Sequence, residues 1–220
     1  MIMNASMAGQ NPDCIQQLLT QSERHLYAPR ATIMMAGESS ETICYLNSGS
    51  ITIFMDEHSN REVIIDYLYA GSFFGALGLF RQGIPRGASV RARGACEVAE
   101  IPYSRFLQLS QEHPELLEML TSQLAERLAR AQRKIHDLAC LDVAGRIMSA
   151  LRDLADRPEA MTHPDGMQVR ITRQELGRIV GCSREMVGRV LKTLDEEKQL
   201  AVQGKNIVVF GRPSENRPQT

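Results

Sequence analysis

The rhythm of hydrophobic and polar positions changes twice along the chain. Residues 11–21 place Ile15, Leu18 and Leu19 on one side of a helical wheel, which predicts a short amphipathic helix. From about Arg30 to Ile101 the rhythm shortens. β-Prone runs such as Ile43-Cys44-Tyr45-Leu46, Ile51-Thr52-Ile53-Phe54, Val63-Ile64-Ile65 and Cys96-Glu97-Val98-Ala99-Glu100-Ile101 recur, broken by Gly37, Gly49, Gly71, Gly83 and Gly94. Short strands at such spacing, punctuated by glycine, predict a jelly roll or barrel.

After Tyr103 the period becomes helical. Ser104 is placed to cap a short helix from Arg105 to Gln111, and Pro114 suits the first turn of a much longer one. The long helix carries Leu117, Leu120, Leu124, Leu128, Ala131, Ile135 and Leu138 at intervals of three and four. That spacing is a coiled-coil seam. A helix lying on its own barrel is the alternative, but Glu126, Arg127, Arg130, Arg133 and Lys134 crowd the other faces. Charge on those faces favours a helix whose dry side meets a second copy of itself.

Asp142 can cap a new helix running to Leu154, which puts a hinge at residues 141–143. His163-Pro164-Asp165-Gly166 is a turn signal, and Met167 to Ile171 reads as a strand after it. Two helices joined by a tight turn come next. Thr172 and Glu175 have capping-box spacing, Gly181 permits the turn, and Ser183 caps the second helix. Val187, Val190, Leu191 and Leu194 give that second helix one buried face. Its outer side presents Arg184, Glu185, Gly188, Arg189 and Lys192. Arginine pairs bidentately with guanine in the major groove, and glutamate accepts from the cytosine amino group. Residues 200–202 and 207–210 then form a hairpin with Lys205 at its tip, within reach of a phosphate.

Net charge sharpens this picture locally. The chain as a whole carries −1, yet between Arg170 and Lys192 six basic side chains face two acidic ones. The concentration is that of a DNA reader with one basic face. Five widely spaced cysteines, none in C-x-x-C spacing, indicate neither a metal site nor a disulfide framework and fit a reducing cytoplasm. The N-terminus has no signal-peptide pattern, and no apolar run reaches bilayer length. The five histidines show no metalloprotease spacing and no nucleophile elbow is present, so no catalytic residue is assigned.

The segments 171–175, 180–185 (Val-Gly-Cys-Ser-Arg-Glu) and 160–167 (Ala-Met-Thr-His-Pro-Asp-Gly-Met) resemble the cyclic-AMP receptor branch of the CRP/FNR regulator family, with likeness extending from about residue 15 to Gly211. The resemblance implies an α+β fold: a cyclic-nucleotide-binding-type β jelly roll (1–113), a long dimerisation helix (114–140) and a winged helix-turn-helix (141–220). It implies a homodimer on a palindromic TGTGA-like duplex, with Arg184, Glu185 and Arg189 on bases and Arg173, Ser183, Lys192 and Lys205 on phosphates. It also implies RNA polymerase as a partner of Thr162 and His163.

The effector pocket departs from the family pattern. Where the family has Gly-Glu-Leu-Gly, this chain has Gly75-Ala76-Leu77-Gly78; Arg86 is followed by Gly87 in place of serine. Arg127 is kept, but the family's Thr-Ser pair on the long helix is Ala131-Gln132. Losing two or three hydrogen bonds at roughly 1–3 kcal/mol each would weaken cyclic AMP by about two to five orders of magnitude. Gln132 can restore one contact. Three readings stay open: an unidentified small-molecule effector, a dimer competent for DNA without ligand, or weak cyclic AMP binding, with the first two favoured. A cyclic-AMP-dependent activator with a compensated pocket, and a ligand-binding regulatory module without a DNA role, are the alternative functions.

Overall fold

The computed structural model describes residues 13–39, 41–57, 61–81 and 83–211. The chain divides into two compact units, one of residues 1–55 and 66–128, the other of 56–65 and 129–220.

The strands of the first unit belong to a roll of two four-stranded antiparallel sheets. One runs β1 (Glu23–Tyr27), β8 (Cys96–Pro102), β3 (Thr42–Ser48), β6 (Phe73–Phe74); the other runs β2 (Thr32–Met34), β7 (Ser89–Ala92), β4 (Ser50–Glu57), β5 (Arg61–Tyr69). The end of β4 and the start of β5 fall within the residues 56–65 grouped with the second unit. The run Ile43–Leu46 lacks apolar/polar alternation because both faces of its sheet are covered. Ile43 and Tyr45 enter a core shared with Phe73, Ala99, Ile101 and the helices, while Cys44 and Leu46 enter another with Phe74, Val98 and residues of the second sheet. Phe73 anchors the helical side, its ring 5.0 Å from Tyr45 and edge-on to Phe106 at 5.8 Å.

Helix α1 (Asp13–Thr20) closes that side with Cys14, Ile15 and Leu18. Helix α2 spans Tyr103–Glu112 and begins earlier than expected: Pro102 occupies the cap position without a side-chain bond, and Ser104 lies exposed inside the first turn. Proline's fixed φ ends β8 and starts the helix without a hydroxyl. Helix α3 spans Glu115–Cys140, with Pro114 just before it and its carbonyl accepting from Leu117 and Glu118.

The apolar stripe of α3 is not one continuous seam. Leu116 and Leu120 are fully buried in the roll's own core, and Leu117 and Leu124 lie against it. Exposure starts at Leu128 (61%) and continues through Ile135 (67%) and Leu138 (50%). The packing of the helix on its own roll therefore holds for the first half of the stripe, and the second half is left uncovered in the single chain.

In the second unit α4 (Val143–Ala155) starts at Asp142, whose carboxylate accepts from Gly145 N–H at 2.8 Å. Strands β9 (Met161–His163), β10 (Gly166–Arg170), β11 (Leu200–Gln203) and β12 (Asn206–Phe210) form a sheet in the order β11-β12-β10-β9. Thr162 and His163 belong to β9, where Thr162 pairs with Met167 and His163, the first residue of the turn signal, with Gly166. Helices α5 (Arg173–Val180) and α6 (Arg184–Glu196) complete the unit over a core of Ile147, Leu151, Leu176, Val187, Leu191 and Ile207. Among the described residues, no helix is long and apolar enough to cross a membrane.

Candidate nucleic-acid interface and effector pocket

Helix α5 begins at Thr172, whose hydroxyl accepts from Glu175 N–H at 3.1 Å, and ends on Gly181 in the left-handed region (φ 73°). Ser183 then accepts from Met186 N–H at 3.2 Å to start α6. The sequence pointed to these three residues; it did not point to Gly177. A Cβ at that position would lie 2.6 Å from the Cys182 carbonyl oxygen, so the two helices close on each other only because it is absent. Replacing the cap in Ser183→Ala is expected to destabilise the second unit by about 1 kcal/mol, read from chemical denaturation.

Helix α6 buries Val187, Leu191 and Leu194 and exposes Arg184, Glu185, Arg189 and Lys192. Among the described residues, the side chains of Arg184, Glu185 and Arg189 make no hydrogen bond or ion pair. Arg184 stands in the first turn, where the helix dipole disfavours a cation. Folding gains nothing from it there, whereas an anionic duplex would. Lys192 pairs only loosely with Glu196 (3.7 Å), both mostly exposed, a contact of little energy that a phosphate can replace.

Gly188 is partly covered on the same outer side. Arg173 lies across it, with Cδ 3.7 Å and Nη1 3.8 Å from where a Cβ would stand. The arginine of α5 thus lies on the surface of α6 at a distance that an added methyl would meet in ordinary contact. Ser183 uses one of its two oxygen lone pairs on the cap, which leaves the O–H able to donate. Lys205 is exposed in the turn between β11 and β12, and its carbonyl accepts from Ile171 N–H at 2.9 Å, tying the wing to the start of the helix pair. One basic residue of this segment is committed elsewhere: Arg178 pairs with Glu62 at 2.6 Å. Thr162 is exposed on β9, and His163 Nδ1 accepts from Asp165 N–H at 3.3 Å.

In the roll, Gly75 adopts φ 76° and opens a single 3-10 turn, Ala76–Gly78. Arg86 is buried (9% exposed) and points at this turn. Its Nη1 donates to the Gly75 and Thr42 carbonyls at 2.9 Å each, and its Nη2 donates to Thr42 Oγ1 at 2.8 Å. Tyr103 donates to the same Gly75 carbonyl at 2.6 Å. A Cβ on Gly75 would lie 2.5 Å from Arg86 Nη1, so glycine there is what lets the guanidinium seat. Ala76 is buried and its methyl joins the helical-side core, while Leu77 is 68% exposed and borders Gly87. Arg127 donates to the Phe73 carbonyl, and Gln123 brackets the same strand by bonds to Phe73 N–H (2.8 Å) and the Gly71 carbonyl (2.9 Å). Ala131 and Gln132 are exposed on α3 in the second unit. A cyclic phosphate and ribose would find one arginine already bonded to protein oxygens and no carboxylate at residue 76.

A capped two-helix reader with a wing, following a two-sheet roll, defines a class: DNA-binding regulators with an effector-type domain. Residues 24–113 match the cyclic nucleotide-binding domain family and residues 169–200 match the bacterial regulatory proteins of the crp family. The chain belongs to the CRP/FNR family and is a DNA-binding transcription regulator, not an enzyme. It is 53% identical over 90% of its length, and 94% of the relative's, to the cAMP-activated global transcriptional regulator Vfr of Pseudomonas aeruginosa. It is 48% identical over 92% of its length, and 96% of the relative's, to the cAMP-activated global transcriptional regulator CRP of Salmonella typhimurium. The solved structure of the c-di-GMP-responsive global regulator CLP of Xanthomonas campestris superimposes with TM-score 0.82 at 42% identity, covering 90% of this chain and 98% of that one.

Proposed function

We propose that the protein is a homodimeric cytoplasmic regulator that reads a palindromic TGTGA-like site and touches RNA polymerase, without requiring cyclic AMP. In this reading residues 1–113 are the effector-type domain, 114–140 the dimerisation helix and 141–220 the DNA-binding domain. The observation that carries the DNA role is the exposed triad Arg184, Glu185 and Arg189 on a helix whose cap and buried face are complete without them. They read base edges, while Arg173, Ser183, Lys192 and Lys205 hold phosphates. The stripe Leu128, Ala131, Ile135 and Leu138 meets its twin, and Thr162 with His163 forms the polymerase contact on β9.

Independence from cyclic AMP rests on Arg86 and Ala76. The guanidinium is bonded to the Gly75 and Thr42 carbonyls, and the residue that would accept from the ribose is a methyl group in the core. Either an unidentified effector or none sets the active state. The names of Vfr and CRP favour a second reading, in which cyclic AMP still binds through the remaining contacts. A third ligand, c-di-GMP, is suggested by the name of the Xanthomonas regulator.

Restoring the family residues tests the pocket. Ala76→Glu with Gly87→Ser is expected to raise cyclic-AMP affinity at least about tenfold, the worth of one regained hydrogen bond. A Cβ at Gly87 stands 3.2 Å from Leu77 Cδ1, and exposed Leu77 has room to yield. No gain in calorimetry on a folded double variant would mean that these two positions are not what separates this pocket from a cyclic-AMP site.

A further inference from the structure

The roll holds a cavity of about 280 Å³ that neither DNA reading nor the segment Gly75–Gly78 accounts for. Its rim carries the exposed Glu38 and Glu41 and the half-buried Glu100; Cys44 and Arg86 form its buried end. Ile33, Met34 and Val98 supply an apolar wall, and Tyr27 an aromatic one.

The polar groups are held in place. Glu100 Oε1 accepts from Thr42 Oγ1 at 2.5 Å, and Thr42 Oγ1 in turn accepts from Arg86 at 2.8 Å. Glu38 Oε2 accepts from Met35 N–H at 3.0 Å. The Cys44 thiol is 3% exposed, lines the cavity and makes no hydrogen bond among the described residues. Burial pushes it up to about 12, so it presents a neutral, polarisable surface.

Three carboxylates and one guanidinium line the cavity; three N–H groups of the guanidinium are bonded to protein oxygens, and His25 Nε2 stands 3.8 Å from Glu100 Oε2. The excess negative charge repels anions and attracts a cation. An aromatic ring and an aliphatic wall beside carboxylates suit an ammonium on a hydrocarbon chain, because the charge meets Glu and the stem displaces water from apolar surface. We propose that this cavity is a binding site for a small aliphatic amine, its ammonium held by Glu38, Glu41 and Glu100 and its chain laid on Ile33, Met34 and Val98. Arg86 bonds both Thr42 at the cavity and Gly75 at the 3-10 turn, so an occupant here touches the residue that shapes the effector segment.

Calorimetry of the full chain with putrescine and with spermidine tests this, beside 1,4-butanediol and succinate as neutral and anionic counterparts of similar size. The expected result is saturable binding of at least one amine at one per protomer, none for the diol or the diacid, and amide shifts in NMR spectra at residues 42–44 and 98–100. Glu38→Gln with Glu41→Gln, both exposed and with the new amide oxygen at 38 still able to accept from Met35 N–H, is expected to weaken the amine at least about tenfold. No saturable heat with either amine, equal binding of the diol, or affinity unchanged in the folded double variant would overturn the proposal; the last outcome would mark diffuse attraction to an acidic surface.

Discussion

Arg184→Ala is expected to weaken binding to a specific duplex by roughly 5- to 150-fold, or ~1–3 kcal/mol, the discrimination carried by one bidentate arginine–guanine pair. Stability should not fall. The side chain is exposed, has no partner among the described residues and sits where the helix dipole opposes it. Weaker site binding with an unchanged or slightly higher melting temperature therefore separates a base-reading residue from a structural one. The salt dependence adds a second check. Removing a base-reading side chain should leave non-specific duplex binding nearly intact, whereas Lys205→Ala should lower both and reduce the salt slope by about one phosphate's worth. Equal affinity of Arg184→Ala and the parent for the specific site would remove the assignment of α6 as the reader.

Ile135→Asp is expected to have the larger effect on assembly. Ile135 is 67% exposed in the single chain, so a carboxylate there leaves the protomer's own core untouched. In a two-fold dimer the same change occurs on both helices and places two like charges in one apolar seam. An uncompensated buried charge costs roughly 3–5 kcal/mol, enough to shift a dimer to monomer at micromolar concentration. Sedimentation should show the monomer mass with the parent's circular dichroism, and affinity for a palindrome should collapse to that of a half-site. A dimer of unchanged mass would mean that the exposed half of α3 is not the interface.

The helix pair was legible from its residues because its determinants are local. Thr172 and Glu175, Gly181, and Ser183 act on backbone groups within three or four positions, and their bonds form where their spacing puts them. The jelly roll was legible from its strands and glycines, although not the reason that Ile43–Leu46 is apolar throughout, which lies in covering by two layers. The partition of α3 was not legible at all. Leu120 and Leu128 share one periodicity, yet one is fully buried in the roll and the other is 61% exposed. What decides is which elements lie beside each turn, and no heptad records that.

Long-range pairings stayed hidden for the same reason. Arg86 stood out in sequence, but its acceptors are Thr42, 44 residues away, and Gly75. Arg178 belongs to the basic segment by position, yet its charge is taken up by Glu62 on a strand far away in the chain. The acidic cavity draws on β1, β3, β8 and the turn after β2, so no window of sequence contains it. Ser104 illustrates the opposite error, a residue with good capping chemistry displaced when Pro102 starts the helix first.

This regulator is expected to read DNA without cyclic AMP. Fluorescence anisotropy of the full chain on a labelled palindromic TGTGA-type duplex, against a scrambled duplex, with and without saturating cyclic AMP, tests it most directly. Selective binding of the palindrome that cyclic AMP leaves unchanged is the predicted result. Binding that becomes specific only when cyclic AMP is added would contradict it, and would mean that the bonded Arg86 releases its carbonyls to hold the nucleotide after all.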